Sequence, residues 1–232
     1  MNVIITGASK GIGRSIAEIF AAEGVSLFLC SRNEERLNNT AAELQKKFPD
    51  SKISARAADL SIKEETKQFA DWCLRSGVPD ILINNAGDFT PGGVCDEPEG
   101  ALEKMIGVNL YSAYHLTRAL LPKMILARRG HIFNMCSIAS LHAYKNGGSY
   151  SISKTALMGF SKNLREELKK HHIKVTAVYP GAVMTDSWSG FDNSDNRIML
   201  ADDVAKMIWA ASKLSPQAVV EDIILRPLLG DL

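Results

Sequence analysis

The sequence predicts an α/β protein in which helices cover both faces of a parallel sheet. Short apolar runs recur at residues 3–6, 26–30, 53–58, 81–84, 131–136, 174–178 and 219–225. Runs of this length that are apolar throughout are typical of strands buried on both faces, as in parallel sheets. The intervening segments are long enough for crossover helices. With 232 residues, the chain is predicted to be a single domain over residues 1–232.

The helix-patterned segments between these runs have recognisable limits. The first covers residues 14–22, after the turn that follows the first strand. The second covers residues 34–47, because its apolar positions share one helical face and Pro49 follows. Pro122 falls inside the long pattern of residues 111–129 and predicts a kink or break there, since proline cannot donate an amide hydrogen bond.

Charge and cysteine content argue against several classes of protein. The chain has 27 Lys and Arg against 26 Asp and Glu, a net charge of +1 without like-charge blocks, so neither nucleic acid nor a membrane surface is an expected partner. The four cysteines are scattered, which predicts reduced, partly buried thiols and no metal site. The sequence starts without a leader pattern and has no long apolar stretch, which favours a cytoplasmic protein.

A glycine-rich turn follows the first predicted strand and precedes a predicted helix. Glycines allow a tight turn and close approach to a pyrophosphate, whose charge then lies against the free amides of the helix N-terminus. The same residues could form an ordinary strand-to-helix turn, but their place in a βαβ unit favours cofactor binding. The candidate cofactor residues in this turn are Gly7, Ser9, Lys10, Gly11, Ile12 and Gly13.

The end of the second predicted strand bears on the choice between NAD and NADP. An acidic residue there would bind the ribose hydroxyls, whereas arginine would attract a 2′-phosphate. The strand ends in Ser31 and Arg32 with no carboxylate, and Lys10 adds a cation in the glycine turn. The sequence therefore predicts NADPH/NADP⁺, with Ser31 and Arg32 on the phosphate. Alternatively, Arg32 is a solvated residue at a helix start.

Three residues suggest a catalytic site. Tyr150 and Lys154 lie four residues apart on a predicted helix over residues 150–170, so their side chains share one face. Alone, this pair could be an ordinary surface pair. Ser137 strengthens the functional interpretation, because it follows the fifth predicted strand, at the carboxyl edge where ligands of open α/β sheets bind.

Together these motifs resemble the short-chain dehydrogenase/reductase family over nearly the whole chain. The turn Thr6-Gly7-x-x-x-Gly11-x-Gly13 and the segment Asn84-Asn85-Ala86-Gly87 carry the resemblance. It implies a Rossmann-type three-layer sandwich whose seven-stranded parallel sheet has the order 3-2-1-4-5-6-7. The resemblance also assigns further residues to the cofactor. Asp59 and Leu60 would flank the adenine, Asn85, Ala86 and Gly87 would border the cofactor, Tyr150 and Lys154 would lie at the nicotinamide ribose, and Pro180, Gly181, Val183 and Thr185 at the nicotinamide.

The resemblance also implies a division of labour in carbonyl reduction. Tyr150 would be the general acid, with its pKa lowered by the neighbouring Lys154 ammonium. Ser137 would hydrogen-bond the substrate oxygen, and Asn109 would hold a water that relays protons to Lys154. Because all four residues are present, an NADPH-sensing module without activity is disfavoured.

The substrate is predicted less closely than the reaction. A substrate-binding loop is expected at residues 182–200, overlapping the irregular stretch 181–197, which could be a lid or could pack on the domain edge. The predicted pocket wall suits a flat or hydrophobic carbonyl compound, although His142 could be merely solvated. The wall consists of Phe89, Ile138, Leu141, His142, Tyr144, Trp188 and Phe191.

The tail, residues 220–227 followed by Gly230 and Asp231, resembles the ending of bacterial sepiapterin reductases, as does the segment from Gly181 to Trp188. A pterin could then stack near Trp188 or Phe191, with Asp186 or Asp192 pairing its ring nitrogens. The alternative is a broader carbonyl or 3-oxoacyl-thioester reductase, with Arg128 and Arg129 as a site for an acyl carrier.

The resemblance further implies a homodimer or homotetramer that pairs through apolar positions of the helical segments 101–129 and 150–170. Those apolar positions could equally cover the chain's own sheet.

Overall fold

The apolar runs of the sequence form one parallel sheet in the computed structural model, which describes residues 1–188 and 190–230. Its strands are β1 (Asn2–Thr6), β2 (Ser26–Ser31), β3 (Lys52–Ala57), β4 (Ile81–Asn84), β5 (Gly130–Met135), β6 (Ile173–Pro180) and β9 (Asp222–Leu225), while the short β7 and β8 described below form a separate pair. The strand order is β3-β2-β1-β4-β5-β6-β9, which confirms the predicted order with β9 as the seventh strand. Each neighbouring pair is parallel.

Seven α-helices lie along the described chain and cover both faces of the sheet. They are α1 (Gly11–Ala21), α2 (Glu34–Lys47), α3 (Lys63–Leu74), α4 (Ala101–Ile106), α5 (Ser112–Ala127), α6 (Gly148–Leu168) and α7 (Ala201–Ser212). In β1, Val3 and Ile5 pack in a core cluster with α1, α2 and α7, whereas Ile4 packs in a second cluster with α3, α5 and α6. The alternation of strand side chains thus divides the apolar residues between two cores.

Of the kink or break predicted at Pro122, the break is wrong. Helix α5 continues through Pro122, because Leu120 and Met124 on either side are fully buried in one core cluster and hold both halves of the helix. The irregular turn lies earlier, in a π-helical segment at Gly107–Tyr111 between α4 and α5.

The stretch expected to be least regular contains local structure that the sequence pattern does not reveal. Strand β7 (Val183–Met184) pairs in parallel with β8 (Met199–Leu200). Between them, the Asn193 side chain accepts a hydrogen bond from the Ile198 amide and donates one to its carbonyl. Strands of two residues are too short for any periodicity, so these tertiary contacts define this loop.

The remaining sequence expectations concern cysteines and membranes. Cys30, Cys73 and Cys136 are buried and Cys95 is exposed, all with free thiols. Within the described residues, none of the helices combines the length and the apolar character that a membrane crossing requires. Likewise, the described residues contain no cluster of three or more His, Cys, Asp or Glu side chains placed to hold a metal ion.

Candidate active site

A cavity of about 860 Å³ opens along the carboxyl edge of the sheet. Parallel strands end at the same edge, so the segments that follow β1, β2, β3, β4, β5 and β6 all meet there. Most of the residues predicted for the cofactor and for catalysis line it: Gly7, Ser9, Lys10, Gly11, Ile12, Ser31, Arg32, Asp59, Leu60, Asn85, Ala86, Gly87, Ser137, Tyr150, Lys154, Pro180, Gly181, Val183 and Thr185.

The glycine turn after β1 forms a tight cradle at one wall of this cavity. Gly7 and Gly11 adopt φ values of +64° and +53°, which favour glycine. Gly13 does not line the cavity but supports it, because a Cβ at this position would lie 2.3 Å from the Gly7 carbonyl oxygen. The turn leads directly into the N-terminus of α1, so backbone amides and the helix dipole favour an anion here.

Asn85 joins this cradle to the end of β4. Its Nδ2 donates to the carbonyl oxygens of Thr6 and Gly7 at 2.9 and 3.2 Å. In the other direction, Thr6 Oγ1 accepts hydrogen bonds from the amides of Asn85 and Ala86. The Asn84–Gly87 segment after β4 therefore holds the glycine turn after the neighbouring strand β1 in place.

Three cations line the cavity near the end of β2. Lys10 and Arg32 were predicted from the sequence, whereas Arg36 was missed. Asn33 caps α2 by accepting a hydrogen bond from the Arg36 amide at 2.8 Å, so the first turn of this helix begins at the cavity. That capping pattern is the sequence signal that could have identified Arg36. A phosphorylated ribose fits this cationic end.

Ser137 and Tyr150 lie next to each other on the opposite side of the cavity. Ser137 follows β5 and caps a short 3₁₀ turn by accepting a hydrogen bond from the Ala139 amide at 3.2 Å. Tyr150 lies in the first turn of α6, and its phenol is close enough to the Ser137 hydroxyl for this neighbour to lower its pKa. Two hydroxyl groups from distant parts of the chain thus converge at one point.

Lys154 lies one turn further along α6 and is buried. Its Nζ donates to the Met135 carbonyl oxygen at 2.8 Å and lies 5.9 Å from the centre of the Tyr150 ring. Burial lowers the pKa of Lys154 to about 8.

The pKa of Tyr150 differs from the expectation that Lys154 lowers it. Burial raises the pKa of Tyr150, and the neighbouring Ser137 hydroxyl opposes only part of that shift. The reason is geometric: the Lys154 ammonium is turned toward the end of β5, where it bonds the Met135 carbonyl. Tyr150 consequently stays protonated at neutral pH, the form that a proton donor requires.

Asn109 is fully buried in the π-helical turn and does not line the cavity. Its Oδ1 accepts from the Asp88 amide at 2.8 Å, and its Nδ2 donates to the Asp88 carbonyl and to Ser153 Oγ. A Cβ at Gly87 would lie 3.0 Å from Asn109 Oδ1 and 3.2 Å from Lys154 Nζ. The side chain therefore holds the segment after β4 against α6.

The structure departs from the predicted substrate wall at two positions. Phe89, Ile138, His142, Tyr144 and Trp188 line the cavity, and Phe89 packs edge-to-face on Tyr150 with ring centres 4.9 Å apart. Leu141 and Phe191 are not among its lining residues. Leu141 points out from the turn and is 36% exposed, and Phe191 packs edge-to-face on Trp188.

Two carboxylates proposed for a pterin ring are already engaged. Asp186 lines the cavity but pairs with Lys10 and Arg36. Asp192 accepts a hydrogen bond from the Ser194 amide on the protein surface. Asp231, part of the resembling tail, lies outside the described residues. Val108, Ser112 and Arg226 also line the cavity and were missed by sequence reasoning, although Arg226 lies in the tail segment 220–227 that carried a resemblance.

A glycine cradle at a helix N-terminus, beside a Ser, Tyr and Lys cluster in one cavity, defines the class of dinucleotide-dependent oxidoreductases with a Rossmann-type sheet. Within that class the family follows from comparison with known proteins. The family profile described as short chain dehydrogenase matches residues 1–196, and the chain belongs to this family.

Individual relatives agree with this assignment. An uncharacterized oxidoreductase of Staphylococcus aureus strain MW2 is 31% identical over 226 residues, covering 97% of this chain and 96% of the relative. A metagenomic short-chain oxidoreductase solved with NADP is 30% identical, with a TM-score of 0.85 over 98% of this chain and 96% of that one. The 3-oxoacyl-[acyl-carrier protein] reductase of Brucella melitensis is 28% identical, with a TM-score of 0.86 over 97% and 89%.

Proposed function

We propose that this oxidoreductase is an NADPH-dependent carbonyl reductase with Tyr150 as proton donor. The observation that carries the proposal is the pair of neighbouring hydroxyl groups of Ser137 and Tyr150, which line the same cavity as the glycine cradle. A proton donor and a dinucleotide site in one cavity are what reduction of a carbonyl group requires.

NADPH is the proposed cofactor because the cavity combines three features that suit it. Its glycine cradle has no room for side chains, its volume is about 860 Å³, and Lys10, Arg32 and Arg36 line one end. The metagenomic neighbour with NADP bound supports the same choice. When bound, NADPH would supply the hydride that the carbonyl carbon accepts.

The chain's own residues handle the proton and the orientation of the substrate. Tyr150 donates its phenolic proton to the substrate oxygen, and Ser137 donates a hydrogen bond to that oxygen as negative charge develops on it. Lys154, which bonds the Met135 carbonyl and lines the cavity, would bind ribose hydroxyls of the cofactor. Asn109 keeps the segment after β4 in register with α6.

Two substrate classes fit the wall. Aromatic side chains at Phe89, Tyr144 and Trp188 suit the flat ring of a pterin ketone such as sepiapterin. The likeness to the Brucella reductase supports a 3-oxoacyl thioester as the second candidate.

We also propose that the chain forms a homodimer or homotetramer, because edge strand β9 and the following tail expose Ile224, Leu228 and Leu229.

The test is NADPH oxidation, followed by absorbance, with sepiapterin, diacetyl and an acetoacetyl thioester as parallel substrates and with NADH as the comparison cofactor. We expect turnover of at least one carbonyl substrate and a clear preference for NADPH. Absence of turnover with all three would contradict the proposed substrate classes, and a preference for NADH would contradict the cofactor assignment.

A further inference from the structure

Asp186, distant in sequence, forms ion pairs with Lys10 of the glycine turn and Arg36 of α2. Lys10 Nζ donates to Asp186 Oδ2 at 2.5 Å, and an Arg36 guanidinium nitrogen lies 3.6 Å from the same oxygen. Asp186 is separated from Lys10 by 176 residues in sequence. One acidic side chain thus connects the glycine turn and α2 to the segment that follows β7.

The backbone next to Asp186 also lies across the glycine turn. A Cβ added at Gly11 would meet the Thr185 methyl group at 3.2 Å. Asp186, Lys10 and Arg36 all line the cavity, so the bridge formed by these two ion pairs lies along part of the cavity wall. The segment after β7 is therefore closed over the cradle, and its closure includes an ion pair with the residues that would bind phosphate.

The two ion pairs of this bridge are weak because all three side chains are exposed. The three side chains are between 50 and 59% exposed, and exposed ion pairs contribute little to stability. Hydrogen bonding from Lys10 lowers the pKa of Asp186, so the carboxylate is ionised at neutral pH. A phosphate monoester carries about 1.5 to 2 negative charges and binds arginine with two parallel hydrogen bonds, so it outcompetes a single carboxylate.

We propose that Asp186 is an internal anion that competes with the 2′-phosphate of NADPH for Lys10 and Arg36, so that Asp186 and Arg36 both determine cofactor selectivity. The inference rests on the proposed function, in which NADPH is the cofactor. Asp186 lowers the affinity for NADPH because the cations must exchange one anion for another. It leaves NADH largely unaffected because that cofactor brings no phosphate to this end.

The test is to measure dissociation constants for NADPH and NADH by calorimetry on the wild type, Asp186→Asn and Arg36→Gln. Removing the competing charge is expected to tighten NADPH binding about two- to fivefold at low salt, the range of an exposed ion pair, and to leave NADH binding unchanged. The gain should shrink at high salt. Arg36→Gln should weaken NADPH binding, and adding Asp186→Asn to it should give a smaller gain than in the wild type.

Asp195→Asn is the matched control, because Asp195 is an exposed carboxylate of the same loop. An equal gain in this variant would show a general charge effect and overturn the inference. Unchanged or weaker NADPH binding in Asp186→Asn, with a wild type that prefers NADPH, would overturn this inference alone. A wild type that prefers NADH would overturn the proposed cofactor and this inference with it.

Discussion

At the scale of single residues, Tyr150 is the group on which the proposed chemistry depends. Sequence spacing placed Tyr150 and Lys154 on one helical face, and the structure brings Ser137 to them from a loop. The direction of the Tyr150 pKa shift could not be predicted, because it depends on burial and on where the Lys154 ammonium points. Spacing along a helix specifies neither.

Replacing Tyr150 with phenylalanine removes the transferable proton and keeps the ring that packs on Phe89. We expect turnover to fall about a hundredfold or more, with NADPH affinity nearly unchanged, since general acid catalysis contributes on this scale. Steady-state kinetics and a direct binding titration measure the two effects. Tyr114→Phe is the control, because Tyr114 bonds Arg118 on the outer face of α5. Wild-type turnover in Tyr150→Phe would refute the role.

At the scale of elements, the start of α6 depends on a residue from another loop. The N-cap position of this helix, Gly147, offers no side chain, and Glu97 takes over its role. Glu97 accepts hydrogen bonds from the Ser149 amide at 3.1 Å and from the Ser149 hydroxyl at 2.5 Å. The loop before Glu97 packs closely on the start of α6, because a Cβ at Gly148 would lie 2.4 Å from the Gly92 carbonyl oxygen. The loop carrying Glu97 thus helps to position the first turn of α6 and Tyr150.

Glu97→Ala is expected to lower the free energy of unfolding by about 1–2 kcal/mol, the usual cost of losing a helix cap with a buried partner. It should also reduce kcat more than NADPH affinity, because the displaced group is Tyr150 and the glycine cradle is untouched. Chemical denaturation and kinetics measure both quantities, with exposed Glu99→Ala as the control. Equal losses of kcat and NADPH affinity would contradict a positioning role, and Glu97→Gln should restore part of kcat.

The elements also show where sequence patterns stop being informative. Strands β1 to β6 begin and end within one or two residues of the apolar runs. For the interior strands the reason is that a strand buried on both faces is largely apolar. Pro122 misled because core packing on both sides of it outweighs one missing hydrogen bond. Strands β7 and β8 were missed because two residues carry no pattern.

At the scale of the whole molecule, a buried histidine makes stability depend on pH. His131 lies in β5, stacked on Phe133, and its Nε2 is 2.7 Å from Thr176 Oγ1. Thr176 Oγ1 itself donates to the Val220 carbonyl, so the His131 nitrogen must be the donor to Thr176. Burial is the main cause that lowers the pKa of His131 to about 3, and the Lys174 charge adds to it.

Because the pKa of His131 is lower in the folded than in the unfolded chain, the unfolded chain binds more protons between pH 3 and 6.5. Its contribution to stability is therefore present above pH 6.5 and is lost as the pH falls. Between pH 7.5 and 5.0 the wild type should lose about 2 kcal/mol more unfolding free energy than His131→Gln, which cannot take up a proton. Urea unfolding at the two pH values tests this. Exposed His172→Asn is the control, and an identical pH dependence in wild type and His131→Gln would contradict it.

The sequence by itself determined the sheet, its strand order through the resemblance, the glycine cradle and the identities of Ser137, Asn109, Tyr150 and Lys154. The sheet, the glycine turn and the Ser137, Tyr150 and Lys154 candidates follow from local rules, namely apolar runs, helical spacing and the need for glycine where backbone atoms approach closely. The strand order and Asn109 came from the family resemblance. Only the tertiary structure showed that Asp186 holds Lys10 and Arg36, that Glu97 caps α6 and that Leu141 and Phe191 lie off the cavity wall. These contacts join residues far apart in sequence, and charge pairing or burial between such residues depends on how the whole chain packs.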